Sequence, residues 1–193
     1  MVLATQNPNK VRELTTMLAP YHILAIPLNE FTDIEVPETG STLRENAKLK
    51  ADFAFEITGL PSVADDSGLM LKGLENKPGI ATARFAKNFP TYQDAMSTLY
   101  QELTEKEAPK DAFFSCVIAL RTKNDTIFFE GVVTGQVVWP PRGNKAFAFG
   151  PFFQPSGYTQ TFGEMDPDEK NKISHRGIAV HKLSSFLAKN DIF

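Results

Sequence analysis

The strongest constraint on the fold is a pair of long β-rich runs, Ala112–Arg121 and Thr126–Trp139, set inside a chain that otherwise alternates strand and helix. The segment between them, Thr122-Lys123-Asn124-Asp125, is turn chemistry, so the two runs read as a hairpin. Upstream, Val2–Thr5 reads as a short strand, and Pro8 suits the first turn of a helix, where its missing N–H is no loss. Val11, Leu14, Met17 and Leu18 then recur at helical spacing as far as Pro20. His22–Leu28 predicts a second strand, followed by a polar stretch, Asn29–Gly40. Thr42 and Glu45 fit the T-x-x-E capping box and open a helix to about Thr58, stopped before Gly59 and Pro61. Ser62–Ala64 predicts a short strand running into a turn, Asp65-Asp66-Ser67-Gly68, with Leu69–Leu71 extended beyond it. Lys77–Asn88 reads as irregular, Thr91–Leu103 as helix, Pro140–Gly163 as irregular and aromatic-rich, and Ile173–Lys189 as a final helix. An antiparallel pair inside an alternating pattern requires an α/β protein with a mixed sheet.

Length and composition limit the function classes. The 193 residues suit one domain with a sizeable core, and 42% hydrophobic with 22% charged residues is a globular balance. A net charge of −3 gives no electrostatic footprint for a nucleic acid polymer, although a few placed cations still serve a small anion. Cys116, the single cysteine, sits in the apolar run FFSCVIAL and reads as a small core hydrophobe. No apolar run approaches the roughly 20 residues that span a bilayer, and no leader pattern follows Met1. The expectation is a cytoplasmic protein with no membrane partner.

Four polar groups carry the chemistry. Ala4–Lys10, ATQNPNK, lies at a strand-to-helix turn. A helix N-terminus presents N–H groups and a positive dipole end, to which Thr5 and Asn7 add donors and Lys10 a charge, as a phosphate requires. An ordinary capped turn with a solvated lysine is the plain alternative. Asp65 and Asp66 follow an apolar strand, where one acid can bind Mg²⁺ and its neighbour take a proton from water; Asp-Asp-Ser-Gly is equally good turn chemistry. Glu38 precedes the capped helix and can complete a metal site, while Lys50 lies on that helix. In Glu169–Gly177, EKNKISHRG, Ser174 fits an N-cap with His175 and Arg176 in the first turn. Cations there oppose the helix dipole, which an anionic or carbonyl-rich ligand would rationalise. Phe147, Phe149, Phe152 and Phe153 suit either a core or stacking on a nucleobase.

In order and spacing, ATQNPNKVREL, ETGSTLRENAKLKA, ADDSGL, PGIATARFA, PRG, FQPSGYTQTFGEM and EKNKISHR resemble the inosine triphosphate pyrophosphatase family across nearly the whole chain. The resemblance implies a single domain, residues 1–193, with an elongated mixed sheet flanked by helices and two lobes around a nucleotide cleft. It implies a homodimer that uses Mg²⁺ to hydrolyse non-standard purine nucleoside triphosphates such as ITP, dITP and XTP to monophosphate and pyrophosphate. By position it makes Thr5, Asn7 and Lys10 triphosphate binders. Glu38, Asp65 and Asp66 become metal ligands, with Asp66 also activating water. Ser67, Lys50 and Arg84 fall near phosphates, Phe147 and Phe149 at the base, and Lys170, His175 and Arg176 on the substrate, the last two at base carbonyls.

One segment departs from the family pattern G-F-G-[YW]-D-P-x-F. Here it reads AFAFGPFF, Ala146–Phe153. Gly150 stands where the family has a base-facing aspartate, and Ala146 and Ala148 replace glycines, which removes backbone freedom. Hydrolysis is expected to survive and base selectivity to relax or shift. The alternatives are a related pyrophosphatase with a different base preference, or a catalytically weak nucleotide-binding regulator.

Overall fold

The computed structural model describes residues 1–34 and 36–190. The chain divides into two compact units, one of Met1–Asp66, Cys116–Gly131 and Arg176–Phe193, the other of Ser67–Ser115 and Val132–His175. The strands follow the order β2-β1-β3-β5-β6-β7, with β4 beside β3. The sheet is mixed, as the hairpin within alternating elements requires.

In the first unit, β1 (Val2–Leu3) pairs in parallel with both β2 (Ile26–Pro27) and β3 (Ser62–Leu71), placing Val2 opposite Ile26 and Ser62. The turn after β1 leads into α1 (Pro8–Leu18), with proline at its start and Asn7 as N-cap. Its apolar side buries Leu14, Met17 and Leu18. Helix α2 (Leu43–Thr58) starts where Thr42 Oγ1 accepts the Glu45 N–H at 3.1 Å and stops at Gly59, whose φ of 67° is the left-handed cap glycine favours. The expected capping box is displaced by one residue: the Glu45 carboxylate accepts from the N–H and hydroxyl of Ser41, both at 2.7 Å. Leu3, Leu14, Leu18, Val63, Ile118 and Leu183 form part of this unit's core. Cys116 is also in it, and burial pushes its thiol up to about 12.

In the second unit, β3 continues to Leu71 and pairs antiparallel with β4 (Lys77–Gly79), with Leu69 opposite Gly79. The close approach requires Gly68, since a Cβ there would lie 2.2 Å from the Gly79 carbonyl oxygen. A short helix, α3 (Thr82–Ala86), precedes α4 (Tyr92–Glu105), which opens with a full Thr91/Asp94 capping box. Strands β5 (Asp111–Arg121) and β6 (Thr126–Val137) are joined through residues 122–125, and β7 (Phe153–Pro155) pairs antiparallel with β6. The core here includes Leu69, Leu99, Phe114, Phe149, Phe152 and Phe153. Helices α5 (Pro167–Ile173) and α6 (His175–Leu187) close the chain.

Five local expectations are corrected. Only Ile26–Pro27 of the His22–Leu28 run is strand, because Ala19–Tyr21 form a 3₁₀ turn and His22 takes a φ of 59°. The Asp65–Gly68 segment is not a turn but the middle of one ten-residue strand. Its turn propensity yields to tertiary partners for the two acids. Lys77–Asn88 holds β4 and α3. Residues 150–155, inside the segment read as irregular, form a 3₁₀ turn and β7. The final helix begins at His175 rather than Ile173, after Ser174, which is extended with ψ 156°, and a separate short helix, α5, precedes it. The expected polar stretch Asn29–Gly40 includes Glu35, which lies outside the described residues.

Candidate active site

Adjacent residues of a strand point to opposite faces. The continuity of β3 through Asp65 and Asp66 therefore sends the two acids to different partners, which a turn would not do. Asp65 is 1% exposed, and its Oδ2 meets Lys10 Nζ of α1 at 3.1 Å. The same oxygen accepts from Arg176 of α6 twice, from Nη2 at 2.9 Å and Nε at 3.2 Å. Arg176 Nη1 donates in turn to Glu13 on α1. Burial alone would raise the Asp65 carboxyl, but Lys10, Arg176 and Lys50 hold it below the ordinary carboxylate range.

Asp66 turns to α2. Its Oδ1 accepts from Lys50 Nζ at 3.0 Å and its Oδ2 from Asn46 Nδ2 at 3.2 Å. Lys50 Nζ also donates to Glu38 Oε1 at 2.9 Å. Burial raises the Asp66 carboxyl and the nearby Glu38 charge adds to this, against the pull of Lys50 and Lys10. Glu38 moves the other way, because Lys50 outweighs the effect of its partial burial. Asp66 is thus the carboxylate that binds a proton more readily.

Glu13, Glu38, Asp65 and Asp66 set four carboxylates against Lys10, Lys50 and Arg176. Such a cluster has no surplus positive charge for a triphosphate. Asp65 Oδ1 is buried without a hydrogen-bond partner, and Glu38 and Asp66 share one ammonium. Among the described residues no group of three or more His, Cys, Asp or Glu side chains is gathered closely enough to hold a metal ion unaided, so a divalent cation held by these carboxylates would need substrate phosphates beside them.

The turn before α1 offers less to a phosphate than an open helix end would. Asn7 Oδ1 already accepts the N–H groups of Asn9 at 3.0 Å and Lys10 at 3.4 Å, and the Asn7 N–H donates to Thr5 Oγ1 at 3.3 Å. The Lys10 ammonium, the Thr5 hydroxyl and the Asn7 amide nitrogen are the groups this turn contributes.

The Ham1 family profile matches residues 1–186. A dITP/XTP pyrophosphatase of Coxiella burnetii is 39% identical over 193 residues, covering 98% of this chain and 96% of the relative. One from Lactiplantibacillus plantarum is 38% identical over 185 residues, covering 95% and 92%. A solved structure, a HAM1 protein from Coxiella burnetii, superposes with a TM-score of 0.90 at 38% identity and covers 98% of each chain. The chain belongs to the Ham1 family.

The remaining expected residues of this Ham1 protein lie in the second unit. Ser67 is half-buried on β3, and Arg84 is exposed on α3. Lys170, on α5, stands over the Phe147 ring at 6.0 Å. His175 is stacked on Phe114, with ring centroids 4.7 Å apart and planes at 11°. Phe149 resolves the two readings of the aromatic segment in favour of the core. It is 1% exposed and meets Tyr92 edge-on at 5.5 Å, so its ring is not presented for base stacking. Arg176, expected at a base carbonyl, is first the hub of the first unit's buried charges. In the divergent segment, a Cβ at Gly150 would lie 2.6 Å from Ala146 Cβ. The departures at 146 and 150 are therefore sterically linked, and the Ala146 methyl occupies the space that a side chain at 150 would need.

Glu13 and Asn46 were not singled out from the sequence, although both carried a signal. Glu13 lies one helical turn beyond Lys10 on α1. Asn46 falls on the stripe of Leu43, Ala47, Ala51 and Ala54 that α2 buries. A polar residue on a buried stripe requires partners.

Proposed function

We propose that this Ham1 protein hydrolyses non-standard purine nucleoside triphosphates, ITP, dITP and XTP, to the monophosphate and pyrophosphate. The observation that carries the reading is the meeting of Lys10, Glu38, Lys50, Asp65, Asp66 and Arg176, drawn from four separate motifs, in one charge network. The dITP/XTP pyrophosphatase names of the relatives support it.

Water attacks the α-phosphorus, the bond to the bridging α–β oxygen breaks, and pyrophosphate leaves. Asp66 takes the proton from water; its raised proton affinity suits a base more than that of Asp65, which stays ionised between two cations. Lys10 and Lys50 offset charge on the leaving pyrophosphate. Glu38, Asp65 and Asp66 would hold Mg²⁺, which supplies Lewis-acid polarisation of the phosphoryl oxygens. Thr5, Asn7, Ser67 and Arg84 are proposed at the phosphates, and Phe147 and Lys170 at the nucleoside. His175 and Arg176 are proposed as donors to the carbonyl at C6, where ATP carries an amine; donors left unpaired would disfavour ATP. A homodimer in the cytoplasm belongs to the same proposal, carried by the family resemblance. Among the described residues no helix is long and apolar enough to cross a membrane.

The test is pyrophosphate release from ITP, XTP, dITP, GTP and ATP with Mg²⁺, for the native chain and Asp66→Asn. Rapid cleavage of ITP and XTP together with an inactive variant is the expected result. No cleavage, or equal cleavage of all five, overturns the purine-sanitising reading.

A further inference from the structure

We infer that Asn46 is a positioning residue that fixes the spacing of Glu38 and Asp66, an inference that rests on the hydrolytic reading above. Asn46 is fully buried, with no exposed surface. Its amide orientation is set by chemistry. Oδ1 accepts the Gly40 N–H at 2.8 Å, which only the carbonyl end of the amide can do, so Nδ2 is the end that donates to Asp66 Oδ2 at 3.2 Å. The amide thus ties β3 to the loop two residues beyond Glu38. Glycine at position 40 is part of the tie, since a Cβ there would stand 2.7 Å from Asn46 Oδ1 and 2.7 Å from Glu45 Cβ.

Lys50 makes a second connection between the two carboxylates, but of a different kind. Its ammonium ends a flexible four-carbon stem and fixes no distance by itself. An ammonium that turns toward a phosphate would also release both acids. The planar amide of Asn46, one turn earlier on the buried side of α2, is held on both ends and stays. Aspartate at position 46 could still accept from Gly40 but would set a third carboxylate against Asp66 and Glu38. The site therefore requires a group that accepts on one side and donates on the other without charge.

The experiment compares kcat and KM for dITP with Mg²⁺, and the melting temperature, in the native chain, Asn46→Asp, Asn46→Ala and a stability control, Leu120→Ala. Leu120 is fully buried in β5 and outside the charge network. A positioning role predicts kcat lower by about 10–100-fold in both Asn46 variants, as for lost support of a ligand or catalytic group. KM should stay within about threefold, and Leu120→Ala should lose melting temperature but keep kcat within about twofold. If Asn46→Ala retains kcat, or Leu120→Ala loses as much for the same fall in melting temperature, Asn46 is merely structural and the inference is overturned. A native chain that releases no pyrophosphate from any triphosphate sinks the hydrolytic reading, and the inference with it. An active native chain with equally active Asn46 variants sinks the inference alone.

Discussion

Replacing Arg176 by methionine is expected to be among the most damaging single changes available in the first unit. The guanidinium side chain is 5% exposed, and its partners Asp65 and Glu13 are 0% and 10% exposed at their side chains. It makes two hydrogen bonds to Asp65 Oδ2 and one to Glu13. Methionine fills a similar volume, so the loss is electrostatic rather than a cavity. Two carboxylates remain in low dielectric, with Lys10 still on Asp65. Removing one partner of a buried pair costs about 3–5 kcal/mol. For a chain of this size that is a fall in melting temperature on the order of 6–20 °C. Arg176→Lys keeps the charge but loses the fork that reaches two acids, and should fall between the native chain and Arg176→Met. Adding Glu13→Gln to Arg176→Met should recover part of the loss, because one of the stranded charges is gone. Thermal unfolding followed by circular dichroism at neutral pH measures all four proteins. A loss below about 1 kcal/mol for Arg176→Met, the size of an exposed ion pair, would refute the claim that this network is desolvated.

Two further predictions follow from the same site. Because burial and Glu38 raise the Asp66 carboxyl, the acid limb of kcat/KM should lie above the ordinary aspartate value of 3.8, activity being lost as pH falls through it; a limb below 3.8 in a pH–rate profile would remove Asp66 as the base. The stabilisation from Asp65 has a different window, since its depressed carboxyl contributes fully above 3.8 and loses its contribution as pH falls further. In the divergent segment, Gly150→Asp alone should lower the melting temperature through the clash with Ala146, an overpacking cost of about 1–3 kcal/mol. Ala146→Gly with Gly150→Asp should recover most of it, and equal melting temperatures for the two proteins would show the positions to be independent.

The sequence by itself determined the mixed α/β pattern, the hairpin and the three main helices ahead of it. Periodicity and capping residues placed α1, α2 and α4, because those signals act within one or two turns of chain. The family resemblance, carried by the order and spacing of the motifs, singled out Lys10, Glu38, Lys50, Asp65, Asp66 and Arg176, whereas spacing alone left Lys50 undecided and allowed Lys10 to be a solvated lysine. Tertiary structure decided what each one faces. Asp65-Asp66-Ser67-Gly68 reads locally as a turn, but in the sheet it runs extended within β3, between β1 and β5, with one acid on Lys10 and Arg176 and the other on Asn46 and Lys50. Phe149 could stack or pack until Tyr92 and the surrounding core claimed it. Asn46 stood out only as a polar residue on the buried stripe of α2, and its partners, Gly40 and Asp66, are set by the tertiary structure. Local signals fix backbone conformation, whereas the partner of a buried polar group is set by long-range packing.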